Sequence, residues 1–391
     1  MFKDFTFFVP RCIFGVGCSK KLSVQAKKLG CTKALVIYDK GVKTAGVINP
    51  IVAALNKDGI LTVETDEVMP DPSMELVDKT AKLGRDEKVD LVIAIGGGSS
   101  IDTGKTARML ITNPGKAIDY TVDHGVDLFK EKGLPYIAVP TTSGTGSEVT
   151  FSSVLTDTDT ERKVAVRDFI KMPVDYAVLD PEVTISVPPH ITAACGMDVL
   201  THAAEAYLKP TATPFSDAMN IYAVEMCMNN LEEAVKNGKN IEARGQMMIA
   251  ATMAGIGIAS CGLHLGHGMA HALGAAWNLN HGIGCALALP YTFEHVCEMM
   301  PEKTKILAKA MSINLAVDAT PSEAKNAVVE RTWALSKSIG IPTARELGKT
   351  VEKDLDRILE YTAREEKLCQ QSIRPFTPDD CLRYYKDMLT R

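Results

Sequence analysis

The sequence lacks several features that would assign it to common protein classes. Its ten cysteines include no C-x-x-C pair, so neither a zinc ribbon nor a thioredoxin-type motif is indicated. With 43 basic and 48 acidic residues the formal net charge is −5, which lacks the basic excess typical of nucleic-acid-binding proteins. No window holds the roughly 20 uninterrupted apolar residues of a membrane helix. We therefore expect neither nucleic acid nor a membrane as partner.

Length and composition predict a cytoplasmic protein of two domains. The amino terminus lacks the basic and apolar regions of a secretory signal, because Asp4 comes early and no long apolar stretch follows. Scattered single cysteines fit reduced thiols in a cytoplasm. Of the 391 residues, 46% are hydrophobic and 23% charged, as in ordinary folded proteins. One hydrophobic core stops growing at about 250 to 300 residues, so two are expected.

The amino-terminal half alternates short apolar runs with stretches of helical spacing, which predicts a parallel sheet with helices on both faces. Farther along the chain strand patterns nearly vanish, which predicts an all-helical half. We place the domains at 1-185 and 186-391. The predicted strands are Thr6–Val9, Cys12–Val16, Ala34–Tyr38, Leu61–Glu64, Leu91–Ile95, Tyr136–Val139, Val149–Thr156 and Tyr176–Leu179.

A glycine-rich turn follows the predicted strand Leu91–Ile95. Gly96-Gly-Gly-Ser-Ser100 lets the backbone approach a pyrophosphate, and the helix that follows offers free N–H groups. The turn matches neither G-x-G-x-x-G nor a Walker loop, so a simple tight connection is the alternative. Asp39, at the end of an earlier strand, favours a nucleotide site, because a carboxylate there binds a ribose 2′-hydroxyl and repels a 2′-phosphate. The glycine-rich turn and Asp39 together favour NAD over NADP as the cofactor. The alternative is that Asp39 is only an exposed turn residue.

Histidines crowd into one part of the helical half. Four of the eight lie between positions 264 and 281, and His202 follows Asp198 by four residues. Residues at i and i+4 share one helix face, and His267 and His271 repeat that spacing. With His281, these side chains form a mixed nitrogen and oxygen set suited to Fe(II) or Zn(II). The alternative is that each histidine is an ordinary core or surface residue.

Several longer stretches resemble the iron-containing alcohol dehydrogenase family, which includes lactaldehyde/1,2-propanediol and 1,3-propanediol oxidoreductases. They appear in family order and cover nearly the whole chain. The matching stretches are Gly96-Gly-Gly-Ser-Ser-Ile-Asp102, Pro140-Thr-Thr-Ser-Gly-Thr-Gly-Ser-Glu-Val149, Leu179-Asp-Pro181, Gly196-Met-Asp-Val-Leu-Thr-His-Ala-Ala-Glu-Ala-Tyr207, His267-Gly-Met-Ala-His271 and Asn280-His-Gly282.

The resemblance implies an α/β Rossmann-like amino-terminal domain and an all-α carboxy-terminal domain, the architecture of dehydroquinate synthase. It implies an NAD(H)-dependent enzyme that interconverts a short primary alcohol or diol and its aldehyde at Fe(II), with Zn(II) as the alternative. A homodimer or higher homo-oligomer is expected only because dimers are the commonest state of soluble enzymes. The implied metal ligands are Asp198, His202, His267 and His281. The implied cofactor contacts are Asp39, Gly97, Gly98, Ser99, Asp102, Thr141, Thr142, Thr145 and Lys163. The implied pocket residues are Phe151, Ser152, Ile258 and Cys369. His264 is a further pocket candidate that the family pattern does not supply, and a buried polar residue is the alternative there.

His271 is the candidate for relaying a proton to solvent, because histidine titrates near neutral pH; ordering a water is the competing role. Three positions depart from the family pattern. His264 replaces a small or apolar residue, Arg374 stands where asparagine is usual, and Asp71 also replaces an asparagine. An arginine can bind an anion, so a semialdehyde or sulfoacetaldehyde is an alternative substrate. A metal-free reductase, as in the maleylacetate reductases, and a non-catalytic protein of the same fold are also compatible with the sequence.

Overall fold

The computed structural model of the chain describes residues 7, 9–160 and 162–391, which form two compact units. We call Val9–Thr142 together with Gly146–Val187 the sheet unit. Ser143–Thr145 and Pro188–Arg391 belong to the helical unit. The strand predicted at Thr6–Val9 falls mainly on residues outside the described ranges.

The sheet unit is built on a parallel sheet. Its strands in chain order are β1 Cys12–Phe14, β2 Lys33–Asp39, β3 Leu61–Val68, β4 Leu91–Gly96, β5 Tyr136–Pro140, β6 Ser152–Asp157, β7 Arg162–Arg167 and β8 Tyr176–Leu179. Among the described residues, six strands pair in parallel in the order β1-β8-β5-β4-β2-β3. The other two, β6 and β7, form an antiparallel hairpin. The Rossmann-like fold class predicted for this half is confirmed.

The apolar sequences of β2 and β4 explain why helices cover both faces of the sheet. Val36 and Ile93 pack in one core beneath the first and third helices, and the alternate side chains Leu35 and Val92 are equally buried on the opposite face. Strands buried on both faces are typical of parallel sheets. The flanking helices are α1 Leu22–Lys28, α2 Lys40–Thr44, α3 Ile48–Lys57, α4 Met74–Asp86 and α5 Gly98–Thr112.

The strand order creates a switch point between β2 and β4. From β2 the chain moves to β3 on one side, then returns past β2 to β4 on the other. In open parallel sheets, ligands bind beyond the carboxyl ends of the strands at such a point. Here those ends are Asp39 and Gly96, so the sheet topology places its switch point at the residues predicted to bind a nucleotide.

The helical unit is formed by ten helices within the described residues. They are α6 Pro189–Tyr207, α7 Pro214–Lys236, α8 Ile241–Cys261, α9 Leu265–Trp277, α10 His281–Val296, α11 Pro301–Ala310, α12 Pro321–Ser338, α13 Val351–Arg364, α14 Glu366–Cys369 and α15 Pro378–Thr390. Several begin with proline, whose missing N–H costs nothing in the first helical turn. This unit confirms the predicted all-helical half.

Two apolar cores hold the helical unit together. One joins α6, α7, α8, α11 and α12, and the other joins α9 with α13 and α15, while α10 contributes to both. No single helix among the described residues is long and apolar enough to cross a membrane; only α8 and α9 together meet that measure, as a pair bent by 108°.

Candidate metal centre and nucleotide loop

Helix α6 carries two of the predicted metal ligands on one face. Asp198 and His202 are one turn apart and both are buried, with 3.5 Å between Asp198 Oδ1 and His202 Nδ1. Within the described part of the chain, that histidine nitrogen makes no hydrogen bond. A buried polar atom without a partner carries a cost in free energy, so its presence here points to a functional group rather than a packing residue.

Helices α9 and α10 bring two more histidines to the same carboxylate. Nε2 of His267 lies 3.7 Å from Asp198 Oδ1, and Nε2 of His281 lies 3.5 Å from it. The His267 ring stacks on the His202 ring with centroids 4.5 Å apart. The structure therefore brings together all four side chains that the sequence predicted as metal ligands.

Glycine allows the helices to meet this closely. A Cβ at Gly282 would overlap the carbonyl oxygen of Ala194 on α6, and one at Gly284 would lie 3.0 Å from the carbonyl oxygen of Ala270 on α9. Both obstacles are backbone atoms, which cannot rotate away. The glycines thus set the distance at which His281, next to Gly282, faces Asp198.

Glu205 is a functional residue that the sequence reasoning missed. It is fully buried on α6, and its Oε2 lies 2.7 Å from Nδ1 of His267 and 3.2 Å from the backbone nitrogen of that residue. A carboxylate on one ring nitrogen fixes the tautomer and turns the other nitrogen towards a metal. Its spacing could have revealed it, because Glu205 follows His202 by three residues on the same helix.

The charges of the cluster perturb one another strongly. Burial raises the pKa of Asp198, but His202 and His281 outweigh burial and hold it well below the usual range. Burial likewise opposes ionisation of Glu205, yet the adjacent histidines lower its pKa to about 2. Burial lowers the pKa of His202 to about 4, whereas nearby negative groups overcome burial and raise that of His281 to about 10. A cation that binds here must therefore displace protons.

We expect Glu205→Gln to weaken metal binding by about tenfold or more, because the neutral amide no longer fixes the His267 tautomer. The measurement is competition for the ion against a chromogenic chelator. Glu232→Gln, which changes an exposed carboxylate on α7, is the matched control and should bind metal like the parent protein. Equal affinity in both variants would show that Glu205 does not orient a ligand.

Cys285 is the second residue that the sequence reasoning missed. Its Sγ lies 3.5 Å from Asp198 Oδ1, 3.5 Å from His281 Nε2 and 3.9 Å from His267 Nε2. The ligand atoms of these four residues all lie within 4.8 Å of one another. Cys285 follows His281 by four residues, the same spacing that identified Asp198 with His202.

The glycine-rich turn begins helix α5. Gly97 occupies the position before the helix in an extended conformation, and no described side chain caps the helix there. The first backbone N–H groups of α5 are therefore left for another partner, and the positive end of the helix dipole favours an anion there. A Cβ at Gly97 would lie 3.2 Å from Thr142 Oγ1, so glycine keeps this approach open beside β5.

Other predicted cofactor residues lie at the same edge of the sheet. Gly96 pairs with Pro140, and the Thr141 N–H donates to the Gly96 carbonyl at 2.9 Å, so Thr141 and Thr142 adjoin the turn. Asp39 caps α2 by accepting from the Val42 N–H at 3.0 Å. Its Oδ2 lies 3.5 Å from where a Cβ on Gly96 would stand.

The remaining predicted cofactor residues are engaged by the protein or belong to the other unit. Asp102 accepts hydrogen bonds from the Ser147 hydroxyl and, at 2.9 Å, from the Val154 N–H. Lys163 forms an ion pair of 2.7 Å with Asp71. Thr145 lies in the helical unit. Their contacts with a cofactor stay predictions.

The donor groups present fit the two groups that the sequence implied. Three imidazole nitrogens within 3.7 Å of one carboxylate oxygen form a set typical of Fe(II) or Zn(II). His202 Nδ1 makes no hydrogen bond within the described residues, so hydrogen bonds alone do not close the cluster. The uncapped turn at Gly97 fits a pyrophosphate.

Comparison with known proteins identifies the family. The chain matches Iron-containing alcohol dehydrogenase over residues 10–181 and Fe-containing alcohol dehydrogenase family, C-terminal, over residues 192–389. The chain belongs to the iron-containing alcohol dehydrogenases. The predicted family and the prediction of an oxidoreductase are thereby confirmed.

Three relatives show the range of this alcohol dehydrogenase family. Long-chain-alcohol dehydrogenase 1 of Geobacillus thermodenitrificans (strain NG80-2) is 33% identical over 97% of this chain and 95% of its own. The crystal structure of a 1,3-propanediol oxidoreductase, 31% identical, covers 99% of this chain and 100% of its own with a TM-score of 0.93. Sulfoacetaldehyde reductase from Bifidobacterium kashiwanohense, in complex with NAD+, is 26% identical, covers 100% and 99%, and has a TM-score of 0.87.

In this alcohol dehydrogenase chain, His271 lies beside the cluster and partly exposed. Its ring centroid is 5.6 Å from that of His281, and its Nδ1 is 3.4 Å from Glu365 Oε2 on the neighbouring segment. Burial lowers its pKa, although Glu365 opposes the shift. A partly exposed imidazole beside this cluster can pass a proton outward, and the same position suits a group that orders water.

The predicted pocket residues of this dehydrogenase are divided between the units. In the sheet unit, Phe151 packs on Phe169 with ring centroids 4.5 Å apart, and the Ser152 hydroxyl donates to the Val166 carbonyl at 3.3 Å. In the helical unit, Ile258 lies on α8. Cys369 is buried, and its Sγ lies so close to Gly268 that a Cβ on that glycine would overlap it.

His264 and Arg374 each have structural partners. His264 is fully buried at the start of α9, where its backbone N–H donates to Glu205 Oε1 and its Nε2 lies 3.1 Å from the Glu205 carbonyl. The Arg374 guanidinium donates to Asp380 at 3.1 Å and to the His295 carbonyl at 2.9 Å. Its charge is therefore already paired, which gives no support to the anionic-aldehyde alternative.

Proposed function

We propose that this chain interconverts a short primary alcohol or diol and its aldehyde, with NAD(H) as hydride carrier and a divalent ion, Fe(II) with Zn(II) as the alternative. One observation carries the proposal: in a chain of this family, Asp198 Oδ1 lies within 3.7 Å of Nε2 of both His267 and His281. The named relatives support an alcohol or aldehyde as the substrate class.

Asp198, His202, His267 and His281 would hold the ion. When bound, a divalent ion polarises the substrate oxygen as a Lewis acid, while the nicotinamide exchanges the hydride. The protein orients this reaction: the Glu205 carboxylate accepts a hydrogen bond from the Nδ1–H of His267, which turns Nε2 of that ring towards the cluster. His271 relays the proton of the alcohol towards Glu365 and solvent, and its partial exposure supports that role.

The sheet unit would bind the dinucleotide. Gly97, Gly98 and Ser99 would receive the pyrophosphate at the start of α5, and Thr141 and Thr142 would line its other side. We place the working boundary between a nucleotide domain, 1-185, and a metal domain, 186-391. A cytoplasmic homodimer, or a higher homo-oligomer, completes the proposal, since symmetric dimers are the commonest state of soluble enzymes.

Asp39→Ser should improve the use of NADPH and thereby test the nucleotide site. Removing the carboxylate removes its repulsion of a 2′-phosphate, whereas serine retains the cap on α2. We expect the preference for NADH over NADPH, as the ratio of kcat/KM values, to fall by about tenfold or more, which corresponds to ~1.4 kcal/mol.

Asp86→Ser is the matched control for this change. Asp86 ends α4, the helix that precedes β4, so it lies at the amino-end edge of the sheet, away from the switch point. Its substitution should leave the nucleotide preference unaltered. An unchanged preference in Asp39→Ser would remove Asp39 from the nucleotide site.

The proposed reaction is tested by metal analysis and a substrate panel. Protein is purified without oxygen, its metal content is measured, and NADH oxidation is followed with propanal, lactaldehyde, 3-hydroxypropanal, succinic semialdehyde and sulfoacetaldehyde. Stoichiometric metal, activity lost on chelation and restored by Fe(II) or Zn(II), and preference for the neutral aldehydes are expected. Turnover without metal would indicate the metal-free reductase instead, and preference for the last two compounds would indicate an anionic substrate.

A further inference from the structure

The thiol of Cys285 is placed among the ligands rather than behind them. It is fully buried on α10, one turn beyond His281, and its Sγ approaches Asp198 Oδ1 and His281 Nε2 equally, at 3.5 Å. A cysteine that only filled space would need no such neighbours, because apolar surroundings satisfy a thiol. The carboxylate and two imidazoles instead surround it.

The distances in this group fit a single ion. Metal bonds of about 2.0 to 2.3 Å to oxygen, nitrogen and sulfur place the atoms of a tetrahedron about 3.3 to 3.7 Å apart. Here Asp198 Oδ1 lies 3.5 Å from Cys285 Sγ, 3.5 Å from His281 Nε2 and 3.7 Å from His267 Nε2. Cys285 Sγ also lies 3.5 Å from His281 Nε2 and, slightly farther, 3.9 Å from His267 Nε2.

We propose that Cys285 binds the ion as a thiolate together with Asp198, His267 and His281, and thereby shifts the selectivity of the site from iron towards zinc. The inference rests on the metal centre of the proposed function and concerns which ion that centre takes. The thiol proton passes to solvent as the sulfur–metal bond forms, so the step needs no oxidant or reductant. Thiolate is a soft ligand and favours Zn(II) over Fe(II).

His202 remains beside this set rather than outside the site. Its ring stacks on His267 and its Nδ1 lies 3.5 Å from Asp198 Oδ1. It is therefore placed to complete a fifth position, as occurs when catalytic sites expand their coordination. Cys285 would bind through sulfur, whereas His202 would bind through nitrogen. The two can therefore be distinguished by the charge-transfer absorption of a thiolate–metal bond.

Cobalt substitution of the full chain tests the thiolate directly. Co(II) is added to metal-depleted parent protein, to Cys285→Ser and to Cys297→Ser, and the near-ultraviolet and visible absorption is recorded. Cys297 is the matched control because it is also a buried cysteine, directly after α10, but is not part of the ligand group. X-ray absorption at the zinc edge gives a second measurement, in which a sulfur neighbour is resolved from nitrogen and oxygen.

The expected result is a thiolate-to-cobalt charge-transfer band in the parent and in Cys297→Ser, which is lost in Cys285→Ser while the visible cobalt bands persist. The ratio of zinc to iron retained from an equimolar mixture should fall by about tenfold in Cys285→Ser. Visible bands without a charge-transfer band in the parent protein would overturn thiolate ligation and leave the metal centre standing. Failure to bind Co(II) at all would overturn both proposals.

Discussion

Asp198→Asn is expected to lower kcat/KM for alcohol oxidation by about 10³-fold or more, since a metal's effect on the substrate oxygen contributes several kcal/mol and ~4 kcal/mol corresponds to that factor. Asp198 is the carboxylate that the histidines of the cluster share: its Oδ1 lies 3.5 to 3.7 Å from a ring nitrogen of His202, His267 and His281. Asparagine keeps the shape of the side chain but removes the charge that attracts a cation.

The measurement pairs steady-state kinetics with metal content. Asp168→Asn is the matched control, because Asp168 is also a buried carboxylate, but in the sheet unit, where it accepts the backbone N–H groups of Ile170 and Lys171. The control should lose some stability and keep its metal. If Asp198→Asn retained full metal and activity, the cluster would not be the catalytic centre.

Gly282→Ala should reduce kcat/KM by about 10²-fold, the effect expected when a catalytic group moves by about 1 Å. The added methyl group would overlap the carbonyl oxygen of Ala194 on α6, a backbone atom that can move only with its helix. Ala194 lies one turn before Asp198, and Gly282 directly follows His281. The clash therefore separates two proposed ligands, and overpacking of this kind costs about 1 to 3 kcal/mol of stability.

Gly274→Ala is the matched control for Gly282→Ala, because it makes the same substitution at a glycine with room for a methyl group. Gly274 lies in α9, and a Cβ there would be 3.7 Å from the Leu279 carbonyl oxygen, an ordinary contact. That variant should fold and turn over like the parent protein, because alanine suits a helix better than glycine does. Melting temperature, metal content and kinetics are compared for the two variants. If Gly282→Ala were as active as Gly274→Ala, the packing of α10 on α6 would not be what positions His281.

The fold class was predictable because its patterns are local. The apolar runs of β2 and β4 and the helical spacing of the later chain each lie within a short window, and both elements of the architecture are confirmed. Of the hairpin formed by β6 and β7, only the first strand was predicted. The alternation of polar and apolar residues in β7 was not recognised as a strand. Its pairing with β6, which begins with Ser152 opposite Arg167, depends on contacts between two strands and cannot be deduced from either strand alone.

The candidate site was predictable where ligand spacing follows the helical repeat. Asp198 and His202 show that rule, and the structure places them together. Glu205 and Cys285 obey the same repeat, but spacing alone does not distinguish them from the other buried residues of α6 and α10. Their contacts with the histidines, such as that of Glu205 with His267 on α9, arise from tertiary packing. Arg374 shows the converse, since a residue chosen for its charge proved to be paired with Asp380.

The pairing of β1 with β8 also has a consequence during synthesis of the protein. Cys12 pairs with Ala177, and neighbouring residues Arg11 and Tyr176 are 165 positions apart. At about 5 to 20 residues per second, a ribosome needs about 10 to 30 s to deliver β8 after β1. Until then β1 has no partner and the edge of β5 is open, so the nascent chain exposes an apolar strand edge for which chaperones and other nascent chains compete.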